Sequence, residues 1–123
     1  MVKREVVGAH YGLRDWLAQR ITAVVMGVYT ILMLALLASM PSLDYAHWNA
    51  LWEMPGVRYA TLLFLLCVYF HAWIGVRNIF MDYIKGSGLR LALYAIAIGA
   101  LVCYGAWSIQ IMWGLDAIAG PKL

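Results

Sequence analysis

Polar residues fall in blocks along this chain, and the gaps between the blocks set the architecture. Residues 21–40 contain no charged side chain. Residues 58–82 are apolar apart from His71 and Arg77 between the flanking Arg58 and Asp82, and residues 89–113 carry only Arg90, near their start. A bilayer hydrocarbon core is ~30 Å thick and takes about 20 apolar helical residues to cross. Within a single segment only a helix satisfies its own backbone polar groups there. Three transmembrane helices over these ranges are therefore predicted, an all-α integral membrane fold.

The segments between the spans agree. Residues 41–57 hold Pro41, Pro55, Asp44 and Glu53 and read as a loop that interrupts helix geometry. Residues 83–88 (YIKGSG) read as a tight turn, which makes the second and third spans an antiparallel hairpin. Residues 12–20 (GLRDWLAQR) are read either as a short interfacial helix or as an irregular lead-in to the first span.

Composition supports a membrane solvent. Hydrophobic residues make up 65% of the 123 positions and charged residues 12%, and a soluble domain of this size lacks the interior volume to hide so much apolar surface. The net charge of +3 includes no basic run of the kind that binds nucleic acid. Cys67 and Cys103 both lie deep in apolar stretches and read as small packing residues. No CxxC or CxxCH pairing is present to attach a c-type haem or ligate an iron–sulfur cluster. The first 20 residues carry Lys3, Arg4, Glu5, Arg14, Asp15 and Arg20 before a run too long for a signal-peptide core, so they are not expected to be cleaved.

Lysine and arginine mark the cytoplasmic side of spans. Lys3, Arg4, Arg14 and Arg20 precede the first span and Arg77, Lys85 and Arg90 surround the second turn, against Arg58 and Lys122 elsewhere. Residues 1–20 and 83–88 are accordingly placed in the cytoplasm, and 41–57 and the tail 114–123 in the periplasm of a bacterial inner membrane. Trp16 on one side and Trp48, Trp52 and Trp113 on the other suit an interfacial aromatic belt, while Trp73 and Trp107 fall inside spans as packing or lipid-facing residues. Ala95, Gly99 and Cys103, four residues apart, suggest a small-residue packing face on the third span, and Gly27 and Thr30 a similar one on the first.

The second span carries the chemistry. Polar groups near the middle of a span are costly and mark function, and His71 stands there. At 100° per residue, Gly75 and Cys67 lie ~40° from His71 and Asn78 and Asp82 ~20° from it, a polar seam; Leu62, Tyr69, Trp73, Val76 and Phe80 form the opposite face, suited to lipid. Three roles for His71 stand open on the residues alone. It is a neutral imidazole bonded to a neighbouring helix, a haem axial ligand with Gly75 leaving room for a flat macrocycle, or part of a proton relay, for which the central spans offer no carboxylate. Arg20 reads as a snorkelling topology anchor, Tyr83 as an aromatic-belt residue, and Asp82 as a partner of Lys85, Arg77 or Arg90.

The run H-A-W-I-G-V-R-N-I-F-M-D-Y over residues 71–83 resembles the corresponding segment of the smaller hydrophobic membrane anchor subunit of succinate dehydrogenase (respiratory complex II). Chain length, three spans, the Arg20 entry and the Asp82-Tyr83 exit are similar as well. The resemblance implies a subunit of succinate:ubiquinone oxidoreductase, in the electron-transport chain and tricarboxylic acid cycle, and part of a heteromeric helical bundle. It implies that His71 is an axial ligand of haem b, the other ligand coming from a second hydrophobic anchor, the cytochrome b subunit. It assigns Arg20 to a haem propionate, as it does Arg14, which stands where a related bacterial member carries histidine. It assigns Tyr83 and Asp82 to the ubiquinone-reduction site. An iron–sulfur subunit, a flavoprotein subunit and membrane lipid are the further implied partners.

The chain has no flavin or nucleotide motif and is not expected to catalyse alone. A fumarate reductase-type anchor and a purely structural anchor without cofactor are the alternatives. A small multidrug transporter, which needs an intramembrane carboxylate, is disfavoured.

Overall fold

A computed structural model describes residues 9–114, with side chains from Gly12 onward. Four helices follow in order: α1 Ala9–Ser39, α2 Tyr45–Glu53, α3 Pro55–Tyr83 and α4 Ser87–Trp113. Among the described residues there is no strand. α1, α3 and α4 are each long and apolar enough to cross a membrane, over Gly12–Ser39, Pro55–Tyr83 and Ser87–Trp113.

Proline and glycine punctuate the helices. α1 ends just before Pro41, whose ring disfavours helical geometry at Met40. Pro55 opens α3, where its missing N–H costs nothing, and Met54 before it is extended at φ −73°, ψ 118°. Gly114 closes α4 in the left-handed region at φ 57°, which lets its N–H reach the Gln110 carbonyl.

Residues 12–20 form neither a separate interfacial helix nor an irregular lead-in. They are turns of α1 itself, because nothing between Gly12 and Ser39 stops helix propagation. At ~1.5 Å per residue the 31 residues of α1 reach ~46 Å, well beyond a ~30 Å hydrocarbon core. The connector expected as a loop holds α2, capped by Asp44, whose carboxylate accepts the His47 N–H at 2.9 Å.

α3 is central, packed against α1 on one side and α4 on the other. Its pairing with α1 is antiparallel. Arg77 meets Asp15, His71 meets Thr22, and Thr61 and Phe64 meet Tyr29. The Tyr29 and Thr61 hydroxyls lie 2.6 Å apart, and the Tyr29 ring stacks on Phe64 at 4.3 Å.

The other side of α3 corrects an expectation. Tyr69 and Phe80, expected to face lipid, build the α3–α4 interface together with Trp73, whose packing alternative holds. Trp73 and Phe80 hold the Tyr94 ring at 5.7 and 5.9 Å, and the Tyr69 hydroxyl bonds Ser108 beside Gly105. The error arose because an aromatic face suits a neighbouring helix as well as it suits lipid. The small-residue stripes point the other way. Ala95, Gly99 and Cys103 are exposed, as are Gly27 and Thr30, and nothing stands within 4 Å of where a Cβ would sit on Gly27 or Gly99. These faces pack nothing among the described residues. Cys67 is half-buried and Cys103 exposed, and neither forms a disulfide.

Trp48 and Trp52 meet edge to face at 5.4 Å, and Trp113 leans on Tyr59 at 5.9 Å. They lie at the end of the bundle opposite Trp16 and line one cleft with Arg58, whose guanidinium donates to the Trp52 carbonyl.

Candidate functional site: the His71 pocket

The N-terminal turns of α1 run beside the last turns of α3. On α1, Gly12, Asp15, Trp16, Gln19, Arg20 and Ala23 recur at intervals of three and four, which places them on one helix face. On α3, His71 and Asn78 are seven residues apart and share a face by the same geometry. With Met81 these side chains line a cavity of about 670 Å³, within the ~300–1,000 Å³ range of ligand pockets. Trp16, Arg20, Asn78 and Met81 are exposed, so the cavity opens outward on this side of the bundle.

His71 is gripped by α1 through two contacts. Its ring Nδ1 lies 2.9 Å from the Thr22 hydroxyl, and its carbonyl accepts from the Gln19 side-chain amide at 3.3 Å. Thr22 stands only two residues inside Arg20. His71 therefore sits level with the polar end of α1's apolar run, although it is central in its own span. Among the described residues its Nε2 makes no hydrogen bond. Gln19 Oε1 is buried and also lacks a partner there.

The cationic groups separate. The Arg20 guanidinium lies over the Trp16 ring at 5.4 Å, on the cavity rim. Arg77 pairs with Asp15 across the α1–α3 interface, the two side chains 28% and 34% exposed, so it does not serve Asp82. Arg14 is exposed and does not line the cavity, being set off the Asp15–Gln19 face by the helical pitch.

Gly75 faces α1 and not open space. A Cβ there would stand 3.9 Å from Gln19 Nε2, an ordinary contact. Asp82 and Tyr83 follow the cavity-lining Met81 and close α3. Tyr83 is 78% exposed, and neither side chain has a partner among the described residues. No group of three or more potential metal-ligating side chains occurs among the described residues. His47 lies beyond the far end of α1, bonded to Asp44 and Ser42. His10 falls outside the described side chains.

The structure thus joins His71, Arg20 and Asn78 in one pocket and leaves Arg14 aside. Sequence reasoning missed Asp15, Gln19 and Thr22. Their signal was present, since the polar spacing of residues 12–20 continues in phase into the first span, and extending the helix back to Gly12 brings them onto the His71 side.

The family described as "Succinate dehydrogenase/Fumarate reductase transmembrane subunit" matches residues 2–107. A protein of Coxiella burnetii (strain RSA 493 / Nine Mile phase I), described as "Succinate dehydrogenase hydrophobic membrane anchor subunit", is 37% identical over 102 residues, covering 83% of this chain and 89% of that protein.

Proposed function

This chain belongs to the succinate dehydrogenase/fumarate reductase transmembrane subunit family, and from that premise we propose that it is the hydrophobic anchor of a succinate:ubiquinone oxidoreductase that shares haem b with a second anchor and helps form the ubiquinone site. The observation that carries the haem reading is the state of the His71 ring. Nδ1 is engaged by Thr22, while among the described residues Nε2 has no partner beside a cavity rimmed by Arg20. A neutral imidazole with one nitrogen anchored and the other free is the donor that haem iron takes. The residues present fit the group.

Haem bound there supplies a one-electron carrier within the membrane. His71 offers the Nε2 lone pair, and α1 holds the imidazole in place through Thr22 and Gln19. Arg20 offers a planar guanidinium suited to a propionate carboxylate. Arg14, one face away, would reach a propionate only by laying its long side chain across α1. A second imidazole for the haem would come from another polypeptide, since the cavity holds no second histidine among the described residues.

Tyr83 and Asp82 support the quinone part of the proposal. A free phenol at the end of a membrane helix can donate to a quinone carbonyl oxygen as that oxygen gains charge. A carboxylate beside it can pass protons in from the aqueous side. The flavoprotein and iron–sulfur subunits would dock at this end, which the basic residues assign to the cytoplasm, with the C-terminus in the periplasm of a bacterial inner membrane. Flux toward quinol or toward fumarate is set by those partners' potentials.

The Thr22–His71 bond also favours a second reading, a structural anchor in which the imidazole only ties α1 to α3. Optical and electron paramagnetic resonance spectra of a His71→Ala complex separate the two. The proposal expects the low-spin bis-imidazole signature to be lost or replaced. An unaltered b-type spectrum overturns it in favour of the structural anchor.

A further inference from the structure

We infer that Thr22 is a positioning residue for the haem ligand: it fixes the Nδ1–H tautomer of His71 and raises the electron-donating strength of Nε2. The inference rests on the haem reading above and concerns a side chain on a different helix from the ligand.

Thr22 is 7% exposed, and its Oγ1 lies 2.7 Å from the Ala18 carbonyl and 3.2 Å from the Gln19 carbonyl. A hydroxyl has one hydrogen, and a carbonyl can only accept. The Thr22 proton is therefore committed to its own helix backbone, the usual bond of a threonine within a helix. The 2.9 Å contact with His71 Nδ1 then needs its hydrogen from the imidazole. His71 is thereby the Nδ1–H tautomer, with a bare lone pair on Nε2.

The same bond tunes the ligand. An Nδ1–H that donates to an oxygen pushes electron density into the ring, which makes Nε2 a stronger donor and favours the ferric over the ferrous state. Second contacts of this kind fix ring orientation and typically change metal affinity or activity 10–100-fold when removed. The Gln19 amide on the His71 carbonyl holds the backbone while Thr22 holds the ring. Both residues come from one turn of α1, so α1 and the ligand move together.

Thr22→Val keeps the shape of the side chain and removes the acceptor, whereas Thr22→Ser restores it. Both variants are made in the intact complex, and haem content, midpoint potential and the low-temperature g values of the ferric haem are measured. Thr22→Val is expected to shift the one-electron equilibrium about three- to tenfold toward the reduced haem, tenfold corresponding to ~59 mV, and to move the largest g value. Thr22→Ser is expected to match the wild type. Unchanged potential and g values in Thr22→Val, or equal shifts in both variants, overturn the inference. His71→Ala distinguishes its failure from that of the haem reading. If that variant alters the spectrum while Thr22→Val does not, only the positioning role falls; if neither does, the haem reading falls with it.

Discussion

At the scale of single residues, the contact between Asp15 and Arg77 shows how charge is handled where α1 and α3 leave the hydrocarbon. Each group alone would be costly in so apolar a setting, and each is about one-third exposed. Their pairing is therefore intermediate between an exposed pair, worth ~0–1 kcal/mol, and a buried one, whose disruption from one side costs ~3–5 kcal/mol. Arg77→Gln is expected to destabilise the α1–α3 contact by about 2 kcal/mol, and the double variant Asp15→Asn, Arg77→Gln to recover most of that. Reversible unfolding in bicelles checks the cycle, and additive losses in the two single variants would count against a direct pair. His71 itself was legible in the sequence, because a lone imidazole at the centre of an apolar span stands out. The partners of Arg77 and His71 were not. They are 62 and 49 residues away in the chain, and pairing across helices follows from packing register, which one helix's periodicity does not encode.

At the scale of elements, the helices end within about three residues of the expected apolar runs, because flanking prolines, glycines and charges set those ends. The start of α1 is the exception, since helical hydrogen bonding continues past a hydrophobic boundary where no breaker intervenes. The faces of α3 were half legible. The polar seam through His71 and Asn78 faces α1 as a seam should, but the aromatic face turned out to be a helix contact. α2 was hidden behind its flanking prolines, although Ser42-Leu43-Asp44 carries a capping residue. Asp44 accepts, in order of weight, the His47 backbone N–H, the Ser42 hydroxyl and the His47 ring, and these hold its carboxyl well below the usual carboxylate range. A folded value lowered in this way stabilises the folded cap at every pH above the ordinary carboxylate value. The contribution fades only as the pH falls through the depressed value. The His47 amide is therefore expected to keep its slow hydrogen exchange between pH 7 and pH ~4. Asp44→Ala should speed that exchange throughout the range. Wild-type protection that faded already near pH 5 would contradict the cap.

At the scale of the whole molecule, α3 packs between α1 and α4, and few side chains are fully buried. Most residues of α1 and α4 are exposed while α3 is largely half-buried, with Ile21, Val24, Val28, Ile31 and Leu32 turned outward on α1 and the Ala95–Gly99–Cys103 stripe open on α4. Lipid can cover such surfaces, so exposure alone does not require a partner. The His71 pocket makes the stronger case. Among the described residues it supplies one imidazole, one rim guanidinium and a buried Gln19 oxygen without a donor, and under the proposed haem reading a second chain would complete that set. The chain purified alone in detergent or nanodiscs is therefore expected to show no low-spin bis-imidazole haem spectrum when haem is added. Co-expression with a second membrane anchor that carries an intramembrane histidine should restore that spectrum at one haem per pair of chains. Restoration at one haem per two copies of this chain would instead make the site a symmetric homodimer. A monomer that binds haem in the bis-imidazole form unaided would show that the second ligand lies within this polypeptide, and the case for a shared site would fail on stoichiometry.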